Sequence, residues 1–469
     1  MKEIYLGFDI GTTNTKIISV DPGGNINTIE NFKTRKYSKN DVEYIDLFFL
    51  KDRISEFIDK IKTEYRVLGI SFSSIGESVV PVKNGRLLHD PILWYDICTE
   101  KVMLKYEKII KENNDYSISG VRFNYIYSLY KIIWMKENLD IHNEDYWLPI
   151  SSFFPYIFTG EAVWDYSQAC RSYMFDIHER KWHKPILNAF DIPVEKLGKL
   201  EYTGSFIGRD NNELEYYLSG HDHITGLFAI KQLSKTGNFI YQSMGSSSVV
   251  AAVVEEKENE LHFTEAFMKP KGTTGVAFKD RQYYIESSLR YFGKLLEWGT
   301  NLINCDDFDF LNREIEELQN RQIFQIAVNA DPLYGDRISG INLIDLPVDF
   351  KREELIFNLY LYLVYMSRLI TEKLQEYCDI DEFFCGGGCS KNNYLIRMLA
   401  EALNKPIKIF KESEITAIGA IMSAITGRGD ENTKKELINK LNYTILQPNF
   451  GNTNEYLNKL DGFYKRRNF

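Results

Sequence analysis

A chain of 469 residues is too long for one ordinary core, so roughly two to three domains are expected, with room for a cleft between them. Its 44% hydrophobic and 26% charged residues exclude a disordered or fibrous chain, and its net charge of −10 argues against a nucleic-acid partner, since phosphate backbones are bound through basic stripes. No apolar run approaches the ~20 residues of a membrane span, and the opening MKEIYLGFDI lacks the apolar core and cleavage site of a signal peptide, so a cytoplasmic protein with no membrane partner is expected.

The first segment, YLGFDIGTTNTKIISVD from Tyr5, sets two β-rich runs around a Gly-Thr-Thr turn, and a third candidate strand at Ile26 to Phe32 makes an antiparallel meander. A helical stretch from Leu47 to Tyr65 and an apolar strand from Val67 to Phe72 follow. The same grammar returns at NFIYQSMGSSSVVAAVV from Asn238, so the two halves read as repeats of one unit. The boundary falls near Leu233 to Gly237, giving domains 1–235 and 236–469. The apolar helix from Arg352 to Tyr377 is interrupted by Asn358, Arg368 and Lys373 at helical spacing and reads as core rather than membrane. After it come a strand at Glu382 to Cys385, a glycine turn, a helix at Lys391 to Leu403, a strand at Pro406 to Phe410 and a helix at Ile415 to Ala424. That alternation predicts a parallel sheet flanked by helices.

Four segments carry candidate chemistry. In DIGTTNTK, Asp9 to Lys16, a turn without bulky side chains lets N–H groups and hydroxyls approach phosphate oxygens, Lys16 adds positive charge, and Asp9 can hold magnesium through water. Such hairpins are also common connectors. MGSSSVV from Met244 repeats that chemistry, and two turns of this kind can grip one nucleoside triphosphate, although a duplicated hairpin without a ligand also explains the repeat. In FFCGGGCSKNN from Phe383, glycines at the carboxyl end of a strand offer adenine or ribose a backbone surface, with a plain tight turn as the competing reading. In SGHDH, Asp222 stands at a predicted helix start, where it is either an N-cap or a base for an attacking hydroxyl. The flanking His221 and His223 lack the companions of a metal site, so substrate contact by one of them is favoured. The six cysteines are scattered except Cys385 and Cys389, no zinc pattern is present, and they read as structural thiols.

Read together, these segments resemble the FGGY family of carbohydrate kinases, which includes xylulose, glycerol, gluconate, ribulose and rhamnulose kinases. The likeness runs over nearly the whole chain. SLYKIIWMKEN from Ser128 is similar to the family's lysine-to-tryptophan signature, and FTGEAVWDYSQACRSYMFDIHERKW from Phe158 to its Asp-x-Ser-x-Ala and Phe-Asp stretch. YYIESSLRYFGKLLEWGTNLI from Tyr283 and ESEITAIGAIMSAI from Glu412 resemble two further family segments. The resemblance implies two ribonuclease H-like domains of the actin and hexokinase type with a cleft between them, and ATP-dependent phosphorylation of a small sugar or polyol. It implies Asp222 as catalytic base, Asp9 as the residue organising Mg2+, and Gly11, Thr12, Thr13, Gly245 and Ser246 on the phosphates with Lys16 close by. Gly293, Gly387, Gly388, Cys389 and Asn392 fall where the family holds ATP.

The substrate side departs from the familiar members. Ser73, Ser74, Ile75 and Gly76 stand where xylulose kinases usually read Gln-Met-His-Gly, so their sugar-contacting histidine is absent. Glu77 falls where glycerol kinases have a glutamate on a substrate hydroxyl, but the preceding arginine is here Gly76. The GHDH run differs from the usual Gly-Gly-Asp-Asn or Gly-Asp-Gln. Ser74, Ile75, Gly76, Glu77, Asp222 and His223 are the expected substrate residues, a homodimer is compatible with the reading, and an actin-like ATPase or a non-catalytic sugar-binding regulator on the same fold is the alternative.

Overall fold

In the computed structural model, which describes residues 1–255, 272–289, 291–318, 321–330, 338–411, 414–448 and 451–466, the N-terminal runs form the expected meander: β1 (Lys2–Ile10) pairs antiparallel with β2 (Asn14–Val20), and β2 with β3 (Ile26–Lys33). The Asp46 carboxylate accepts the Phe49 N–H at 3.0 Å and starts α1 (Leu47–Glu64), which buries Leu50, Ile54, Phe57, Ile58 and Ile61 along one face. The chain returns as β4 (Tyr65–Ser74), parallel to β1 on the side away from β2. Further on come α2 (Ser128–Leu139), β5 (Phe206–Arg209) and β6 (Glu215–His221), the last running straight into α3 (Asp222–Leu233). β6 is parallel to β4 and β5 closes the edge antiparallel, giving the order β5-β6-β4-β1-β2-β3. The middle strands are almost continuously buried, as expected of a sheet with both faces covered.

The second half repeats this plan. β7 (Phe239–Met244) pairs antiparallel with β8 (Ser248–Glu255), and after α4 (Phe292–Leu302) and the buried α5 (Arg352–Gln375) comes β9 (Glu382–Gly386), parallel to β7. α6 (Asn393–Leu403) leads to β10 (Ile407–Phe410), parallel to β9; then come α7 (Ile415–Arg428) and β11 (Tyr443–Leu446), which closes the edge antiparallel. The order β8-β7-β9-β10-β11 answers to β2-β1-β4-β6-β5. The anticipated interruptions of α5 are accounted for locally: buried Asn358 donates its amide to the Gln322 and Glu354 carbonyls, while Arg368 pairs with Glu372 on the surface. Among the described residues no helix is long and apolar enough to cross a membrane.

By packing, the chain divides into two units that exchange segments. The first comprises Met1–Leu233, Val253–Ile285 and Glu414–Leu441, the second Ser234–Ala252, Glu286–Ser413 and Asn442–Phe469. α7 thus belongs with the N-terminal sheet, lying against β1, β4 and α3. The Ser71 hydroxyl donates to the Ala420 carbonyl, and Tyr5 donates to Asp430 at 2.8 Å just beyond the helix. The approach to α3 is so close that a Cβ on Gly419 would run into the Thr225 backbone carbonyl, which cannot move without shifting the helix that Asp222 opens. Gly419→Ala should therefore destabilise the protein by about 1–3 kcal/mol through overpacking, outweighing the better helix propensity of alanine, and lower the thermal midpoint.

Candidate active site

Parallel pairing brings the first unit's candidates to one edge. β1, β4 and β6 end side by side, with Ile10 opposite Ser74 and Ser74 opposite His221, so the Gly11 turn, the Ser74–Glu77 loop and Asp222 all leave the carboxyl ends of neighbouring strands. In open α/β sheets this is where ligands bind. The Gly11 N–H closes the hairpin onto the Asn14 carbonyl at 3.0 Å, the Thr34 hydroxyl holds the Gly11 carbonyl at 2.7 Å, and the Thr34 N–H holds that of Thr13 at 3.0 Å. Thr12 accepts the Trp94 indole N–H at 3.3 Å.

Asp9 and Lys16 are paired across the β1–β2 hairpin, and Lys16 forms an ion pair with Glu414, just ahead of α7. The Asp9 carboxyl is pushed up to about 7, first by burial and then by the Asp222 carboxylate, with Lys16 opposing and Glu414 adding to the rise. Asp222 accepts the His223 N–H at 2.7 Å and lies 3.3 Å from His221 Nδ1. Burial holds the His221 imidazole well below its ordinary range, with the charges of Arg171 and His223 adding to the effect, so it is neutral. His223 is more exposed, at the rim, 3.9 Å from Asp222.

Behind the β4 end, Ser74 and Ile75 are buried and brace the loop. The Ser74 hydroxyl donates to the Ile75 carbonyl at 2.9 Å and accepts the Ser151 N–H at 3.0 Å, while the Ile75 N–H donates to Ile10 at 3.1 Å. Gly76 is required where it stands, because a Cβ would enter the His221 ring. Glu77 is only 6% exposed, with φ +61 in the left-handed region that a non-glycine residue seldom adopts. It is not a solvated loop acid. Its carboxylate lies 3.8 Å from Arg171 Nε and 4.0 Å from His221 Nε2, both buried.

Arg171, Asp165 and Ser167, which lie in the Asp-x-Ser-x-Ala stretch quoted above but were given no role there, pack against these candidates. The Ser167 hydroxyl accepts the His221 N–H at 3.0 Å and is itself bound to Asp165, which also accepts the Thr203 hydroxyl at 2.7 Å. This network fixes the backbone that presents Asp222. The signal was available in the Asp-x-Ser spacing of that stretch.

The second unit gathers its own candidates. Gly293 and Lys294, at the start of α4, donate their N–H groups to the second turn: Gly293 to Gly245 at 3.1 Å and to Ser246 at 3.0 Å, Lys294 to Ser246 at 3.3 Å. Cys389 donates its thiol to the Gly245 carbonyl at 3.6 Å. Gly387 sits at φ +96, and a Cβ there would strike the Met244 carbonyl, whereas a Cβ at Gly388 meets nothing within 4 Å. Asn392 turns inward: its carbonyl caps Leu395 at 3.2 Å and accepts Asn312 at 3.1 Å, and its amide donates to Tyr360 at 2.7 Å. It holds α6 in place. Arg290, Glu412 and Ser413 of the quoted segments lie outside the described residues, and among the described residues no group of three or more metal-ligating side chains occurs.

Comparison with known proteins identifies the family. Residues 4–223 match the N-terminal domain, and residues 240–427 the C-terminal domain, of the FGGY family of carbohydrate kinases. The chain is 24% identical over 457 residues to the glycerol kinase of Thermococcus onnurineus, covering 90% of this chain and 88% of that protein. It is 26% identical over 473 residues to the L-fuculokinase of Escherichia coli, covering 94% and 96%. Among solved structures, Plasmodium falciparum glycerol kinase with ADP superposes with a TM-score of 0.82 at 18% identity, over 100% of this chain and 98% of that one. The two-domain α/β fold of the actin and hexokinase type expected from the sequence is the observed one.

The contrast between adjacent glycines makes the second-unit site testable. Gly388→Leu should fold with an unchanged thermal midpoint, because its side chain enters open space, and weaken ADP binding about ten-fold or more in calorimetry. Unchanged affinity would remove the Gly387–Cys389 turn from the nucleotide site.

Proposed function

The chain belongs to the FGGY family of carbohydrate kinases, phosphotransferases acting on a sugar or polyol hydroxyl, and we propose that in it Asp222 is the general base and Glu77, with Arg171 and His221, the sugar-binding cluster. The observation that carries the proposal is the pairing of a rim carboxylate at a helix start with a buried, conformationally strained carboxylate on the next strand end. The sugar hydroxyl gives its proton to Asp222 as its oxygen bonds the γ-phosphorus of ATP, and the bond to the leaving ADP oxygen breaks. Neutral His221 flanks Asp222 without a charge that would make it a poorer proton acceptor. In the first unit the Thr12 and Thr13 hydroxyls of the Gly11 turn, with Lys16 close by, offer phosphate contacts; in the second the Gly245 turn offers the Ser246 hydroxyl, and Gly293, Gly387, Gly388 and Cys389 offer a surface for adenosine.

Magnesium fits Asp9. A carboxyl raised to about 7 by burial and by a neighbouring carboxylate gains from a cation, and a site with few protein ligands suits an ion that keeps its waters and binds substrate phosphates. Bound there, the ion would neutralise charge on the transferred phosphoryl group. The sugar is a ketose, polyol or aldonate. Screening ATP consumption against L-fuculose, D-xylulose, D-gluconate and glycerol selects among these; ADP formed without any sugar would indicate an ATPase, and no turnover at all a binding regulator.

Asp222→Asn should lower kcat by roughly 10²–10⁴-fold with ADP binding and thermal midpoint retained, since asparagine caps a helix about as well as aspartate. Near-normal turnover would leave Asp222 as a cap only. Asp9 holds its proton more tightly folded than unfolded, so without metal the protein should lose stability as pH rises from the ordinary carboxylate range towards about 7. Over that range magnesium-dependent nucleotide binding should tighten as the competing proton leaves. Asp9→Asn should flatten both profiles, and a slope that survives the substitution belongs to another group.

A further inference from the structure

One buried cation has no part in the mechanism above. Lys131, in the first turn of α2, is fully buried, and its ammonium donates to the carbonyls of Ile126 and, at 3.3 Å, of Trp94. A buried lysine persists only where its charge is balanced, and two neutral carbonyls do not balance it. The ionisable groups that face it are Glu77 from the loop after β4, and Asp96 and Cys98 from the segment after Trp94. Asp96 also accepts the N–H groups of Glu43 at 2.7 Å and Cys98 at 2.8 Å. Glu77 is the carboxylate that also faces Arg171 and His221.

The same turn of α2 holds two strained loops. The Ser128 hydroxyl donates to the Glu77 carbonyl at 3.1 Å, and the Leu129 N–H to the Ser172 carbonyl at 2.9 Å, beside Tyr173 at φ +64. Left-handed backbone at non-glycine residues survives only where its surroundings over-determine it. One loop carries Glu77 and the other Arg171. Trp94, whose carbonyl Lys131 holds, donates its indole N–H to Thr12 in the phosphate turn.

We propose that Lys131 is a positioning residue for phosphoryl transfer, its buried charge drawing the Glu77 carboxylate into place beside Arg171 and His221 while its carbonyl contact holds Trp94 against the Thr12 turn. The inference rests on the kinase reading above. Burial pulls the Lys131 ammonium down to about 8, against the opposing pull of Glu77, Cys98 and Asp96, so its charge is lost in mildly alkaline solution.

The test is steady-state kinetics against pH, at saturating MgATP, with whichever of glycerol, L-fuculose, D-xylulose and D-gluconate the parent chain turns over fastest. The parent's KM for that sugar should rise above about pH 8. At neutral pH, Lys131→Met should raise it by about ten- to hundred-fold, more than the KM for MgATP, and abolish the alkaline rise. Lys131→Arg, charged at every pH used, should keep a low KM and also lack the rise. A Lys131→Met protein that loses thermal stability but keeps the parent's sugar KM and pH profile overturns the proposal and leaves Lys131 purely structural. Where Lys131→Met does not fold, Ser128→Ala is read instead: a sugar KM raised about three-fold or more supports the brace, and an unchanged one overturns it. A parent inactive on all four compounds overturns the kinase reading and this inference with it, whereas an active parent with indifferent variants overturns this inference alone.

Discussion

Three parallel strands that stop in register govern the first unit's chemistry. Because β1, β4 and β6 pair with Ile10, Ser74 and His221 abreast, the segments leaving them emerge from one edge, and residues far apart in sequence become neighbours. A slip in this pairing would reverse the side chains of a whole strand and separate Asp9 from Asp222. The hydrogen-bond ladders therefore decide the site's geometry before any polar contact forms.

On that edge, the site is built by leaving side chains out as much as by adding them. The missing Cβ at Gly76 makes room for the His221 ring, and the ring then lies between two carboxylates, Glu77 on one side and Asp222 on the other. A buried imidazole next to Arg171 stays neutral, so it can meet both acids without adding a charge of its own. The second unit applies the same economy to backbone, where Gly387 passes over Met244 and Gly388 stays bare.

What the sequence makes legible is what local chemistry encodes. Gly-Thr-Thr and Gly-Ser-Ser between β-rich runs specify hairpins on their own, and the apolar periods before Leu403 and Phe410 specify a helix and a strand, so the repeated topology can be read directly. Asp9, Asp222 and Glu77 stand out because acids at strand ends and helix starts do. Arg171, Asp165 and Ser167 do not, because their relevance arises only when the chain near 165–171 is laid behind residues 220–222. Asn392 is the reverse case: conspicuous beside three glycines, it spends its polar atoms on Tyr360, Asn312 and its own helix. The membership of α7 in the N-terminal unit is likewise invisible locally, since nothing in its apolar pattern says which sheet it covers.

That membership bears on how the protein is made. Ser71 meets Ala420, and Tyr5 meets Asp430, across 349 and 425 positions of chain. During synthesis the face of the first sheet that α7 covers stays bare until residues Ile415–Arg428 have left the ribosome, at a rate of roughly 5–20 residues per second. The first unit is therefore complete only once residues Glu414–Leu441 have been added to it. For roughly tens of seconds the nascent chain carries a sheet face that only a helix made hundreds of residues later covers.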